Sequence, residues 1–158
     1  MRSQFLAGLV VVSVLLAGCS DAGVLDRTTQ VDVEKKPVEP KLVDAVSTGG
    51  GCVPSPANRV EVTRRNASGR SLLVVTGNVS VPDAAHSLDQ PKLVKNGWRD
   101  YMLRVNSRKE TGKAERGCPA LANYTATVEI PDGGPNRKFT LTVVHDGDVV
   151  QKTNVTSE

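Results

Sequence analysis

The sequence predicts an all-β domain, an antiparallel β-sandwich, over residues 52–158. Runs rich in Val and Thr alternate apolar with polar residues there, and clusters of Pro, Gly and Asn separate the runs. No window shows a convincing apolar repeat at positions i, i+3, i+4 and i+7, which disfavours a βαβ fold with a parallel sheet. The dipeptide Asp146-Gly147 lies between two such runs and is typical of a tight hairpin turn, which indicates antiparallel pairing.

Seven segments carry this alternation and are expected to be strands. In chain order they are 59–65, 71–81, 92–95, 100–108, 122–130, 138–145 and 149–156. Seven short strands in a domain of this length favour an immunoglobulin-like sandwich, with a small closed barrel as the alternative.

The N-terminal residues predict a signal helix. Arg2 precedes an apolar run, residues 5–16, that only Ser13 interrupts. A membrane-spanning helix needs about 20 apolar residues, so this run is expected to be part of a cleaved signal peptide, residues 1–18.

The run ends in Leu16-Ala17-Gly18-Cys19, which resembles the lipobox of prokaryotic lipoproteins. The resemblance implies that Cys19 becomes the first mature residue and carries lipid. It also implies an extracytoplasmic protein on the periplasmic face or the cell surface. Each buried acyl methylene stabilises membrane attachment by about 0.8 kcal/mol, so the lipid would serve as the membrane anchor. An ordinary signal-peptidase site with an incidental Cys is the alternative.

Residues 19–51 are predicted to be the lipidated Cys followed by a disordered, flexible linker. The segment has no aromatic residue, contains Pro37 and Pro40, mixes charges of both signs, and ends in three glycines. As a flexible coil it would span roughly 30 Å.

Cys52 and Cys118 remain as an even pair and are expected to form a disulfide in a secreted domain. A redox or metal pair is the alternative, although the sequence has no C-x-x-C. A disulfide would matter because the domain has few aromatic residues for a core: Trp98, Tyr101, Tyr124 and Phe139.

The sequence offers no catalytic or cofactor motif, so we expect a protein that is not an enzyme and needs no cofactor. Its two histidines, His86 and His145, lie in no catalytic pattern, and no glycine-rich loop opens a helix. Asp83, His86 and Asp89 are close enough in sequence to bind a metal, but a solvated turn is the simpler interpretation. His145 is interpreted as a structural residue of the hairpin turn.

The net charge of +3 is too small to indicate nucleic-acid binding. Two groups of basic residues are candidates for contact with anionic lipid, polysaccharide or an acidic protein, with a solvated surface as the alternative. They are Arg64, Arg65 and Arg70, and Arg108, Lys109, Lys113 and Arg116.

Segments 124–131 and 139–147 look like the late strands of immunoglobulin-like domains in uncharacterised prokaryotic lipoproteins. Together these observations predict a lipid-anchored, non-enzymatic binding or structural module of the cell envelope. Its expected partners are the membrane, through the anchor, and an envelope protein or polysaccharide. The alternative function is an inhibitor or accessory subunit of an enzyme complex that acts through the loop 109–120.

Overall fold

The computed structural model describes residues 39–115, 117–131 and 137–157. The predicted signal peptide, Cys19, the first part of the predicted linker and Arg116 lie outside the described residues. Strands make up the regular structure of the described part. They are β1 (Lys41–Ser47), β2 (Gly51–Cys52), β3 (Arg59–Ala67), β4 (Arg70–Val81), β5 (His86–Leu88), β6 (Lys92–Gly97), β7 (Asp100–Val105), β8 (Ser107–Lys109), β9 (Ala120–Ile130), β10 (Arg137–His145) and β11 (Asp148–Ser157). Within these residues no helix is long and apolar enough to span a bilayer.

Two sheets form the sandwich. In the first sheet the strand order is β1-β9-β4-β3, all antiparallel, and β2 pairs with β9 beyond the end of β1. In the second sheet the order is β11-β10-β7-β6, and β5 pairs with β8 in a separate two-stranded ribbon. The prediction of an all-β sandwich is confirmed.

One strand pair departs from the predicted antiparallel pattern, because β10 pairs with β7 in parallel. Parallel neighbours need a crossover connection, and here β9 in the opposite sheet is that connection. The predicted strand 100–108 is divided at Asn106 into β7 and β8, and β8 leaves the second sheet to pair with β5.

The core lies between the inward faces of the two sheets. Along β9, buried residues recur at every second position from Ala120 to Val128, as the two-residue period of a strand requires. Val75 of the neighbouring strand β4 lies beside them, and Leu103 of β7 and Leu141 of β10 face them from the second sheet; all three are fully buried. Fully burying side chains of this size contributes about 1.5 to 3 kcal/mol each.

The boundary of the predicted linker needs correction, because residues 41–47 form the edge strand β1 and Gly51 belongs to β2. Strand β1 pairs with β9 from Lys41 opposite Glu129 to Ser47 opposite Tyr124, with a bulge between Leu42 and Asp44. An edge strand buries little, and Val43 and Val46 are 43% and 58% exposed. The alternation is therefore weak, and backbone pairing with β9, which the sequence pattern does not reveal, holds the segment.

The predicted disulfide between Cys52 and Cys118 is present, with a Cα–Cα distance of 5.7 Å. It connects β2 to the residues just before β9, where Val53 N donates a hydrogen bond to Pro119 O at 2.9 Å. The covalent bond thus closes one end of the first sheet.

Removing the disulfide with the double substitution Cys52→Ala/Cys118→Ala should lower the free energy of unfolding by about 4 kcal/mol. The reason is that the unfolded chain regains the loop-closure entropy of a 66-residue separation. Urea unfolding followed by circular dichroism measures the change, and reduced wild type is the control expected to match the variant. Equal midpoints for oxidised and reduced wild type would contradict this role.

Gly77→Ala should cost about 1 to 3 kcal/mol of stability, the usual penalty of overpacking a core. A Cβ at Gly77 would lie 2.5 Å from ring atoms of Tyr124, which is 3% exposed. Gly51→Ala is the matched control, because its added Cβ would meet no atom within 4 Å. The comparison uses the same urea titration, and an unchanged midpoint for Gly77→Ala would show that the ring position is wrong.

Candidate functional site

A pocket of about 200 Å³ opens where the β6–β7 hairpin meets the residues that begin β1 and β10. We call it the Trp98 pocket. It is lined by Glu39, Pro40, Lys95, Trp98, Arg99, Tyr101, Pro131, Lys138 and Phe139. A concave, partly aromatic site with a few charged groups is the usual form of a ligand-binding site.

Two aromatic rings supplied by neighbouring strands form the floor of the pocket. Tyr101 on β7 and Phe139 on β10 pack edge to face, with ring centroids 5.6 Å apart, and each is 7% exposed. Burial is the main cause that raises the pKa of the Tyr101 phenol, and the Glu39 carboxylate adds to it. The floor is therefore rigid, apolar and uncharged at neutral pH.

Trp98 stands at the rim with 82% of its surface exposed. The expectation that it belongs to the core is wrong, because it occupies the tight turn between β6 and β7. The next residue, Arg99, has a φ of 59° and accepts a hydrogen bond from Thr140 N through its carbonyl oxygen at 2.9 Å. This bond ties the turn to β10 and so positions the backbone from which the indole projects.

One cation lies against the exposed indole, and two more basic residues line the same pocket. The Arg99 guanidinium carbon lies 5.6 Å from the centroid of the Trp98 ring, within cation–π range. Lys95 forms an ion pair with Glu39, and this hydrogen bond raises the pKa of Lys95. Lys138 is exposed on the opposite wall. Among the described lining residues three are basic and one is acidic, so the pocket favours an anion that has an apolar part.

The predicted basic groups lie at opposite ends of the sandwich. Strand β4 pairs Ser71 with Ile130 at one end and Val81 with Ala120 at the other, and its twelve residues span roughly 35 Å. The group on the β3–β4 hairpin, Arg64, Arg65 and Arg70, lies at the Ile130 end together with the Trp98 pocket. The group of Arg108, Lys109 and Lys113 lies at the Cys118 end. The structure therefore does not bring the two groups together.

Nearby carboxylates neutralise much of the positive charge of the basic group at the Cys118 end. Arg108 Nε lies 3.0 Å from Asp89 Oδ1, and Lys109 and Lys113 form ion pairs with Glu115 and Glu110. In the first group Arg70 lies 3.8 Å from the nearly buried Glu129 carboxylate, and Arg64 donates to Thr156 O at 2.9 Å. The basic character at the Cys118 end is thus weaker than the sequence suggests.

Asp83 and His86 meet in a tight turn before β5. Asp83 Oδ1 accepts a hydrogen bond from Ala85 N at 2.7 Å and lies 2.9 Å from His86 Nδ1, and this second bond lowers the pKa of Asp83. Asp89 turns away to Arg108. In the described part of the chain no group of three or more His, Cys, Asp or Glu side chains is placed to hold a metal. The arrangement is that of a turn stabilised by its own side chains.

His145 pairs with Asp148 to close the β10–β11 hairpin, as the structural interpretation of this residue expects, and its side chain is 1% exposed in the core. Its Nε2 shares a hydrogen bond of 2.9 Å with Tyr124 Oη, and the two rings pack edge to face. Tyr124 is on β9 and His145 on β10, so this pair joins the two sheets inside the core. His145 Nδ1 is buried without a hydrogen-bond partner. Burial lowers the pKa of His145, and Asp146 opposes this shift.

Comparisons with protein-family models, with curated proteins and with solved structures gave no match to this chain.

The stability of the protein should fall as pH drops below about 6.5, the ordinary pKa of histidine. The folded state keeps His145 neutral because its pKa is lowered, whereas the unfolded state binds a proton there. His145→Gln should flatten this dependence between pH 7.5 and 5.5. Urea midpoints across this range measure both slopes, and identical slopes for wild type and His145→Gln would contradict the assignment.

Proposed function

We propose that this protein is a lipid-anchored, extracytoplasmic module of the cell envelope that binds rather than catalyses. The anchor is the lipidated Cys19, and the two-sheet domain supplies the contact surface. The observation that carries the proposal is the Trp98 pocket, in which an indole 82% exposed stands beside a rigid aromatic floor. A large exposed aromatic group beside a concave site is a common anchor in binding sites.

The chemistry of the pocket supports binding over catalysis. Its described lining includes no histidine, cysteine or serine, and its carboxylate, Glu39, is engaged by Lys95. General acid–base catalysis needs a group positioned to move a proton near neutral pH, and lysine, arginine and a buried tyrosine with a raised pKa are poorly suited to that task. The same groups suit recognition of an anionic component of the envelope, on a lipid, a polysaccharide or a protein.

The three cysteines support a location outside the cytoplasm. Disulfides persist in oxidising environments outside the cytoplasm, and the domain has one between Cys52 and Cys118. The third cysteine, Cys19, stands alone in the lipobox-like sequence, where acylation would use its thiol. Both features fit a protein exported across the cytoplasmic membrane.

A second candidate function rests on the loop 109–120 at the Cys118 end. Its C-terminal part is fixed by the disulfide to Cys52, and ion pairs hold Lys109 and Lys113. Contacts that restrain the described ends of a loop reduce the entropy that it loses on binding, which is the property that inhibitor loops exploit. The alternative is therefore an extracytoplasmic inhibitor or accessory subunit that acts through this loop.

Two variants separate the candidates when the acylated protein is used to capture partners from solubilised envelope. One replaces residues 111–115 with Gly and Ser and keeps Cys118, and the other is Trp98→Ala. If the pocket carries the function, Trp98→Ala should lose the captured partner and the loop variant should retain it. The opposite pattern would establish the inhibitor or subunit function. Unchanged circular dichroism and urea midpoints show that both variants remain folded.

The intact mass of the protein extracted from membranes should equal a chain that begins at Cys19 and carries acyl groups. Reduction should add two hydrogens, for the Cys52–Cys118 disulfide. Cys19→Ala should abolish the acyl mass because it removes the thiol that bears the lipid, whereas Cys52→Ala/Cys118→Ala should keep the acyl mass and lose the response to reductant. A wild-type mass without acyl groups would refute the anchor.

A further inference from the structure

We propose that one end of the domain docks onto the anionic surface of the membrane that holds the anchor, with the Trp98 indole at the depth of the lipid headgroups. This is the end of the sandwich at Ile130 that contains the Trp98 pocket, and we call it the Trp98 end. This inference rests on the proposed lipid anchor at Cys19 and names the first contact that the Trp98 pocket makes. Three features of the described residues converge on it: charge, the exposed indole and the point where the chain enters the domain.

The Trp98 end is basic. Its exposed cations are Lys41, Arg65, Lys95, Arg99 and Lys138. The described carboxylates near them are Glu39, which pairs with Lys95, the exposed Asp100, and Glu129, which is 8% exposed beside Arg70. The exposed groups thus leave an excess of positive charge that faces away from the sandwich. Each basic residue close to an anionic leaflet raises the affinity of a protein for the membrane about fivefold, equivalent to about 1 kcal/mol.

Trp98 has the properties of an interfacial side chain. Tryptophan is enriched at membrane–water interfaces, where its apolar ring and its polar N–H are both accommodated. Here the ring projects from a two-stranded turn with 82% exposure and has Arg99 against one face. Insertion at headgroup level would bury the indole and leave the guanidinium among phosphates.

The chain that follows Cys19 enters the folded domain at the Trp98 end. This end is therefore the part of the domain nearest to the anchor along the sequence. Glu39 and Pro40 line the pocket rim, and residues 20–38 are all that separate them from Cys19. This stretch reaches at most about 70 Å, whatever its conformation. A tether of this length keeps the domain at an effective concentration on the order of millimolar near the bilayer. A docking contact that is weak in free solution is then formed most of the time. Membrane attachment by a lipid chain together with a basic patch works in the same way.

The fluorescence of Trp98 tests the proposal directly, because it is the sole tryptophan in the chain. The acylated full protein is reconstituted into vesicles of phosphatidylcholine alone or of an equal mixture with phosphatidylglycerol. Trp98 emission should shift to the blue, and brominated lipids should quench it, in the anionic vesicles but much less in the neutral ones. High salt should reverse the shift while the protein still floats with the vesicles, because the anchor is not electrostatic.

Substitutions at the two ends of the sandwich supply the matched comparison. Lys41→Gln and Lys138→Gln each remove an exposed cation from the Trp98 end without touching the indole, and each should weaken docking about fivefold. Lys109→Gln and Lys113→Gln remove the same charge at the Cys118 end and should leave docking unchanged. Equal effects at both ends would overturn the proposal, because they would indicate attraction by net charge alone.

The remaining outcomes distinguish failure of the docking proposal from failure of the lipid anchor. If the protein floats with both kinds of vesicle and Trp98 emission is the same in each, the anchor holds and the docking inference is wrong. If the protein floats with neither, the lipid anchor fails, and the docking inference fails with it. If polygalacturonate shifts Trp98 emission and anionic vesicles do not, the occupant is an acidic polysaccharide and the membrane assignment is overturned.

Discussion

The arrangement of the domain depends on strand β9, whose two edges are both hydrogen-bonded. One edge pairs with β4 along the whole length from Ala120 to Ile130, and the other pairs with β1 and β2. Its inward face is almost continuously buried, and its Tyr124 reaches across the core to His145 on β10. A strand buried on one face and bonded on both edges cannot shift in register without exposing apolar residues, so β9 fixes the positions of its neighbours.

The two ends of β9 have different chemistry because different elements meet there. At Ala120 the disulfide, the β5–β8 ribbon and the loop ion pairs form a neutralised, covalently closed end. At Ile130 the start of β1, the β6–β7 turn and the start of β10 meet around the Trp98 pocket. The parallel pairing of β10 with β7 follows from the passage of the chain through β9, and it places Phe139 beside Tyr101. The topology of the strands thereby creates the aromatic floor.

Most strands were predictable because they bury alternate residues. Segments such as β4 and β10 carry runs of Val, Leu and Thr whose two-residue period is visible in the sequence, and the hairpin at Asp146-Gly147 has a residue pair suited to positive φ. Strand β1 was missed because it is an edge strand. Its Val43 and Val46 point largely into solvent, so its position comes from backbone bonds to β9 that no local pattern encodes.

Only part of the candidate site could be predicted from the sequence. The cysteine pair followed from composition, but the Trp98 pocket gathers residues from the start of β1, the β6–β7 hairpin and the start of β10, far apart in sequence. Trp98 was expected in the core because large aromatic residues usually lie there, and a tight turn fixed by Arg99 displays it instead. For His145 the reverse holds. A polar residue beside a turn is usually exposed, yet His145 keeps the inward two-residue phase of Leu141 and Val143 on β10 and so lies in the core against Tyr124.

The folded domain begins at β1, so the chain enters it at the rim of the Trp98 pocket. Hydrogen–deuterium exchange over residues 41–47 tests this most directly, with peptides from β3 and β6, which are also edge strands, as internal references. Backbone amides of β1 are expected to be protected to a similar degree as those of the other edge strands. Exchange at the rate of an unstructured peptide would contradict it, because the tether would then extend to Cys52 and the pocket would lose one of its walls.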